Sequence, residues 1–402
     1  MPFLQDCVYL DYNATTPIFP EVAQEMQPFL YEAFGNPSSG HTYGRKCKAA
    51  VDLARQRVAS AVGAASPDEI YFTSCGTESD NWAILGTIDN STFPVPHIVT
   101  TNIEHPAILE LLRSLQRQNK ITFTAVGVSS EGIVNVDDVV GAIKPETCLI
   151  TIMHGNNEIG ALQPIKEITD RIRGMDIPFH SDAAQSLGKV KVDVQEMGVD
   201  MATFVGHKIG APKGVAALYV KDGVKLPPAL IGGAQERGMR AGTESVVLLS
   251  GFGKAAEMLE KEGDELFHHL RTVRNYLRES LERALPEERL RFNGPTDESK
   301  RTANTLSVSI KGVNASLLLL ELQDTVAASA GAACKRGQGA LLSDTLKAID
   351  VPAEFALGTV RLSVGRHTSK AEIDRAVGHI LEACESQGID VTGSIRQGGH
   401  RV

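Results

Sequence analysis

Between residues 69 and 220, short apolar segments alternate with amphipathic ones, and this alternation limits the fold more than any other feature of the chain. Strand-like segments fall at EIYFTS (69–74), HIVTT (97–101), ITFTAVG (121–127), CLITIMH (148–154), IPFHSD (177–182), MATFVGHK (201–208) and VAALYV (215–220), with helices predicted from Glu78, Pro106 and Pro164. Strands alternating with helices predict βαβ units around a mostly parallel sheet. Ligands on such sheets sit at the carboxyl ends of the strands.

Upstream of this block, VYLDYNATTP (8–17) starts apolar and ends in turn formers, GNPSSG (35–40) is a loop signal, and Ala49 to Val62 has helical spacing. Beyond Gly242 the pattern becomes one long amphipathic helix, about Val246 to Leu285, suited to joining two domains. The remainder reads as NTLSVSI (304–310), a helix near Ala315–Leu322, TVAAS (325–329), a helix near Leu341–Ile349, TVRLSVG (359–365) and a helix from Lys370 to Cys384. The expected fold class is α/β. It comprises a large domain over 15–255, a small α+β domain built from 1–14 and 256–388, and a disordered tail over 389–402.

A length of 402 residues suits two or three domains, and 42% hydrophobic with 22% charged residues describes a soluble globular protein. A net charge of −9 with a pI near 5.7 argues against nucleic acid or a membrane surface as partner, since both call for a basic footprint. No run of eighteen apolar residues occurs, and MPFLQDCVYLDYN lacks a basic region followed by an apolar core. The expected location is cytoplasmic, with an organelle left open. The six cysteines show neither CxxC pairs nor metal spacing and are expected to be free thiols in a reducing compartment.

The chemistry gathers at predicted strand ends. Asp182 and Lys208 each close a strand-like segment, which would aim a carboxylate and an amine into one crevice. A cofactor with a ring nitrogen to keep protonated and an aldehyde to hold covalently needs such a pair, and pyridoxal phosphate is that cofactor. The competing reading of Asp182 is a cap on the segment Ala183–Leu187. Ser74-Cys75-Gly76-Thr77-Glu78 follows a strand and opens a helix, where backbone N–H groups and the Thr77 hydroxyl would bind phosphate, or where Thr77 is a plain N-cap. His105 also follows a strand, placed either to stack on a flat ring and move protons or simply to cap a helix. Histidines 105, 154, 180 and 207 all lie near strand ends, but their spacing is not that of metal ligands, and no metal is expected.

Asn156-Asn157 follows the CLITIMH strand and is either loop-shaping or a donor to a ligand oxygen. In the loop before the long helix, Arg240 and Thr243 could reach an anion in the same subunit or a neighbour. Arg361 lies on a β-branched strand, where its guanidinium takes either a substrate carboxylate or a structural salt bridge. Cys334, in AGAACKRGQG, has small residues before it, glycines after it, and Lys335-Arg336 to favour its thiolate, so it reads as a nucleophile on a mobile loop.

Taken in order, VYLDYNATTP, GNPSSG, FTSCGTESDN, NNEIGALQPI, HSDAAQSLGK, GHKIGAPKGVAALYV, GGAQERGMRAGTE, SAGAAC and RLSVGRHTSKAEID resemble the cysteine desulfurases and selenocysteine lyases, fold type I pyridoxal-phosphate enzymes of aminotransferase class V. The resemblance spans nearly the whole chain. It implies Lys208 as the Schiff-base lysine, Asp182 as partner of the pyridine nitrogen, Gln185 as partner of the phenolic oxygen and His105 stacked on the ring. Phosphate would be held by Gly76, Thr77 and His207, with Thr243 from the other subunit of a homodimer. Asn157 and Arg361 would orient the substrate carboxylate, and Cys334 would accept sulfur from L-cysteine, leaving alanine and a persulfide for an acceptor protein. The spacing after Cys334 is similar to the long-loop group that feeds iron–sulfur assembly. Two departures stand out: Val205 occupies a position where the family often has serine, and Gly-Ala-Ala-Cys is closer to the animal selenocysteine lyases. The alternatives are therefore release of selenium from L-selenocysteine, another C–S lyase or aminotransferase, and a catalytically silent assembly scaffold.

Overall fold

The computed structural model describes residues 7–334 and 340–391. In chain order its strands are β1 (Val8–Tyr9), β2 (Ile70–Thr73), β3 (His97–Thr101), β4 (Thr122–Val126), β5 (Thr147–Thr151), β6 (Phe179–Asp182), β7 (Met201–Val205) and β8 (Ala216–Val220), then β9 (Leu290–Asn293), β10 (Thr305–Ile310), β11 (Val326–Ala327), β12 (Ser329–Ala330), β13 (Ala332–Cys334), β14 (Ala340–Leu342) and β15 (Thr359–Ser363).

Seven of these make the main sheet, in the order β2-β8-β7-β6-β5-β3-β4, with only β8 running against its neighbours. Every residue of β3, β7 and β8 is buried, as expected where helices cover both faces of a parallel sheet. Only β4, at the edge, is largely open. A second sheet, β12-β15-β10-β9, is antiparallel throughout and has its own apolar core around Leu306, Val308, Val360, Ile373 and Ile380.

The helix Val246–Ala284 ties the two together. Its first half buries Val246, Leu249, Phe252 and Ala256 in the main-sheet core, and its second half buries Leu270, Val273, Leu277 and Leu281 in the other. An apolar face that continues over ten turns gives each sheet a share of one rigid rod. The N-terminal segment makes a second tie: β1 pairs parallel with β11, and Asp11 bridges to Ser363 beside β15. Among the described residues no helix is long and apolar enough to cross a membrane.

Three expected elements differ in extent or kind. The helix expected from Ala49 begins at Thr42, because His41 accepts the Gly44 N–H and caps it earlier. The one expected from Glu78 begins at Gly76. Leu341 and Leu342 belong to β14, paired antiparallel with β13, and the helix there starts only at Asp344, where Ser343 accepts the Leu346 N–H. A short apolar run fits strand or helix equally, and here the partner strand decides. Ile389, placed with the tail in the sequence reading, packs into the core of the smaller sheet.

Candidate active site

Five strands of the main sheet end at one edge, and the predicted residues line it. Asp182 is the last residue of β6, and Lys208 closes the 3-10 turn that follows the adjacent, parallel β7. Asn157 follows β5, His105 follows β3, and Gly76 opens the helix after β2.

Asp182 is 7% exposed, and one carboxylate oxygen accepts the Ala184 N–H at 2.9 Å. It thus caps its own turn while its second oxygen has no partner among the described residues. Burial pushes its pKa up, against the opposing pull of that N–H, His105 and Lys208. Behind it lie Asp80, buried with Oδ1 unpartnered, and His180, held by Thr151 and Thr203. A carboxylate in this setting is stabilised by a cationic ligand, and a protonated ring nitrogen meets that need.

Lys208 is half-buried. Its ammonium donates to main-chain carbonyls only, Asn13 at 2.5 Å and Ala14 at 2.9 Å. Burial first, then the Arg361 charge, pull its pKa down to about 8. The Asn13 carbonyl also accepts from Gln185 Nε2 at 3.0 Å, and Gln185 Oε1 accepts from Lys189 Nζ at 2.6 Å. Asn13 itself is 2% exposed and is a hub: its side chain donates to Asn157 O and Thr305 and accepts from Asn304, while its N–H donates to Ser363. It links both sheets at the cleft floor.

The helix Gly76–Asp89 carries no side-chain cap, so its first N–H groups point free at the cleft edge with the positive end of the helix dipole. Thr77 is therefore not the N-cap, which is Cys75. A Cβ at Gly76 would lie 2.8 Å from Val205 Cγ2, so the backbone can come this close only as glycine. Glu78 reaches back past the N-cap, accepting from Ser74 N at 2.7 Å, and also accepts from Arg240 Nε at 2.8 Å. Thr243 is exposed and shares a small cavity with Ser74 and Arg240 of its own chain. His207 Nδ1 meets Thr15 Oγ1 at 3.1 Å, and burial with the Lys208 charge pulls its pKa down to about 4. His105 Nδ1 accepts the Ala107 N–H, capping its helix, and burial keeps its pKa below the ordinary imidazole value. The helix end, the carboxylate short of a cation and the amine made more easily neutral fit the phosphate, ring nitrogen and aldehyde of pyridoxal phosphate.

Arg361, on β15, donates through Nη2 to Asp11 at 2.8 Å and Ser329 at 3.1 Å, and through Nη1 to Asn157 O at 3.0 Å. The salt bridge weighed from sequence is thus present, yet Nε is buried with no hydrogen-bond partner among the described residues. Ser329 opens the short run that continues into β13, whose last residue is Cys334, paired in register with Ala340. Lys335 and Arg336 lie outside the described residues. Sequence reasoning missed Asn13, Lys189 and Asp11. Their signal was weak: DYN lies where an apolar segment runs into turn formers, and nothing in the sequence singled out the Gly-Lys after Gln185.

The sequence profile of aminotransferase class V matches residues 8–376. A cysteine desulfurase IscS of Clostridium botulinum is 43% identical over 371 residues, covering 91% of each chain. A selenocysteine lyase of Xenopus tropicalis is 40% identical over 410 residues, covering 95% of this chain and 94% of that one. A solved NifS-like protein superposes with a TM-score of 0.86 at 32% identity, over 94% of this chain and all of that one. With the geometry above, these matches establish that the chain belongs to the class V aminotransferases, as a fold type I pyridoxal-phosphate enzyme in the family of cysteine desulfurases and selenocysteine lyases.

Proposed function

We propose that this chain removes sulfur from L-cysteine, giving L-alanine and a persulfide on Cys334 that is passed to an acceptor protein. The observation that carries the reading is Lys208 beside Asp182 at adjacent strand ends, with Arg361 Nε left without a partner on the same cleft. The relatives named cysteine desulfurase supply the substrate class.

Bound pyridoxal phosphate supplies an electron sink at the substrate's Cα. Asp182 keeps the ring nitrogen protonated, His105 covers the ring, Gln185 donates to its phenolic oxygen, and Gly76, Thr77 and His207 hold the phosphate. Lys208 would tether the cofactor and then, as a neutral amine, would take the Cα proton; a pKa of about 8 leaves a usable neutral fraction at physiological pH. Asn157 and Arg361 hold the substrate carboxylate. Cys334 thiolate attacks the substrate's sulfur: an S–S bond forms as the Cβ–S bond breaks, and the electron pair stays with the carbon skeleton, which takes up one proton at Cβ, recovers the Cα proton from Lys208 and leaves as alanine.

A division into a large unit over 15–255 and a small one holding the remainder fits this division of labour, cofactor on one and cysteine on the other. A homodimer is supported by large apolar side chains left open, among them Leu30, Tyr31, Phe34, Tyr43 and Ile231, the last 94% exposed. Thr243 would then complete the partner's phosphate site. Iron–sulfur assembly and a cytoplasmic location, with neither nucleic acid nor membrane as partner, follow from the same reading.

The selenocysteine lyase relatives and Gly-Ala-Ala-Cys favour a second reading, selenium release. The test is alanine formation from each amino acid by wild type and Cys334→Ala. Loss of cysteine turnover with the variant supports the first reading. Selenocysteine turnover that exceeds cysteine turnover and survives the substitution supports the second.

A further inference from the structure

Lys189 is 3% exposed, and among the described residues no carboxylate pairs with it. Gly188, at φ +79°, turns the chain so that Lys189 folds back under the cleft, and a side chain at Gly188 would strike Ile209 Cγ2 at 2.7 Å. A buried amine without a counter-charge is costly unless its placement serves a purpose. Its one hydrogen-bond acceptor is Gln185 Oε1 at 2.6 Å.

That contact settles the orientation of an amide. Oxygen and nitrogen of a glutamine side chain can exchange places, but here an amine donor stands on one side and the Asn13 carbonyl, an acceptor only, on the other. Gln185 must therefore present its NH2 group toward Asn13 and the cleft. One of those two N–H bonds goes to Asn13 O; the other has no protein acceptor among the described residues and is available to a ligand oxygen.

We propose that Lys189 is a positioning residue, locking Gln185 so that it can only donate, never accept, toward the phenolic oxygen of the cofactor. The inference rests on the reading of Gln185 given above. A donor at that oxygen stabilises its negative charge and makes the proton shared on the cofactor easier to remove. Lys208 and Arg361 act on Lys189, with Asp182 and Asp11 acting on Lys208 and Lys189 acting on His207; the cavity that Lys189 lines also carries Glu262, Glu265, His269 and Arg366. Burial and these two cations push the Lys189 pKa well down, and what reaches Gln185 is the hydrogen bond from Lys189 Nζ to its Oε1.

The test reads the pH midpoint of the visible band of the enzyme reconstituted with pyridoxal phosphate. Lys189→Met should raise that midpoint by about one unit, the size of one hydrogen bond to a charged group. Gln185→Leu should raise it similarly, and adding Lys189→Met to Gln185→Leu should raise it no further. Gln185→Glu, which leaves Lys189 its acceptor but removes the donor, should also raise it and does not depend on the Met variant folding. An unchanged midpoint in Gln185→Glu, or in a folded Lys189→Met, overturns the inference. So does a Lys189→Met shift that persists undiminished beside Gln185→Leu. A wild type that shows no visible band overturns the cofactor reading itself and this inference with it, a result distinct from a band that fails to move.

Discussion

Two arginine–carboxylate pairs, one along the edge strand β2 and one at the mouth of the cleft, are built on different plans. Arg55 and Glu236 are both buried and bonded at two points, 2.6 and 2.7 Å, with Ile70 O and the Phe72 N–H taking remaining capacity. The Phe72 ring lies 4.7 Å from the guanidinium carbon. Holding this geometry costs backbone strain, with Glu236 at φ +46° and Arg237 at φ +59°. Arg361 meets Asp11 through one nitrogen, stays partly open, and keeps Nε unpartnered. Of these two pairs, Arg55–Glu236 is satisfied completely and Arg361 keeps a donor in reserve; buried guanidinium nitrogens without a hydrogen bond among the described residues also occur on Arg274 and Arg301.

The two lysines of the cleft repeat the contrast. Lys189 is fixed to a side chain, whereas Lys208 rests on two main-chain carbonyls that it can leave without exposing a buried carboxylate. Breaking the mouth at its centre should have the largest effect. Lys208→Ala should lower turnover by at least about a thousandfold, roughly 4 kcal/mol, while thermal unfolding changes little. The intact lysine gives a companion prediction. Its amine must be neutral to capture pyridoxal phosphate, and a pKa pulled down to about 8 makes it half neutral at pH 8. The capture rate of the apoenzyme should rise with pH and level off with a midpoint near 8; a midpoint above 10 would show an amine that the cleft does not perturb.

Next in size comes the pair along β2. Arg55→Met leaves Glu236 buried and alone, and should reduce unfolding free energy by about 3–5 kcal/mol. Turnover per folded molecule should fall far less. Arg361→Lys reverses that pattern: a lost fork should raise KM for cysteine by about 10–100-fold. Stability should change by no more than about 1 kcal/mol, since the Asp11 pair is partly solvated. If Arg55→Met damaged KM as much as Arg361→Lys does, the contrast between the two pairs would fail.

These differences explain what the sequence revealed. Asp182 and Lys208 were legible because each ends an apolar run that can only be a strand of a covered sheet, and strand ends meet at one edge. Arg361 was legible as a cation in a β-branched strand, but not its Asp11 partner, which arrives from 350 residues away. Asn13 was invisible for a related reason: its contribution to Lys208 and Gln185 is a main-chain carbonyl, a group that every residue has. β14 was misread because its conformation is set by pairing with β13, not by its own apolar spacing.

The central claim is that a site on the main sheet delivers sulfur to a cysteine carried by the other part of the molecule. It is tested most directly by mass analysis of peptides from the reconstituted enzyme after one turnover with L-cysteine. The account predicts one added sulfur atom on the peptide containing Cys334, formed with one equivalent of alanine and absent in Cys334→Ala. Alanine formation at the wild-type rate in Cys334→Ala, or sulfur found on Cys75 instead, would contradict it.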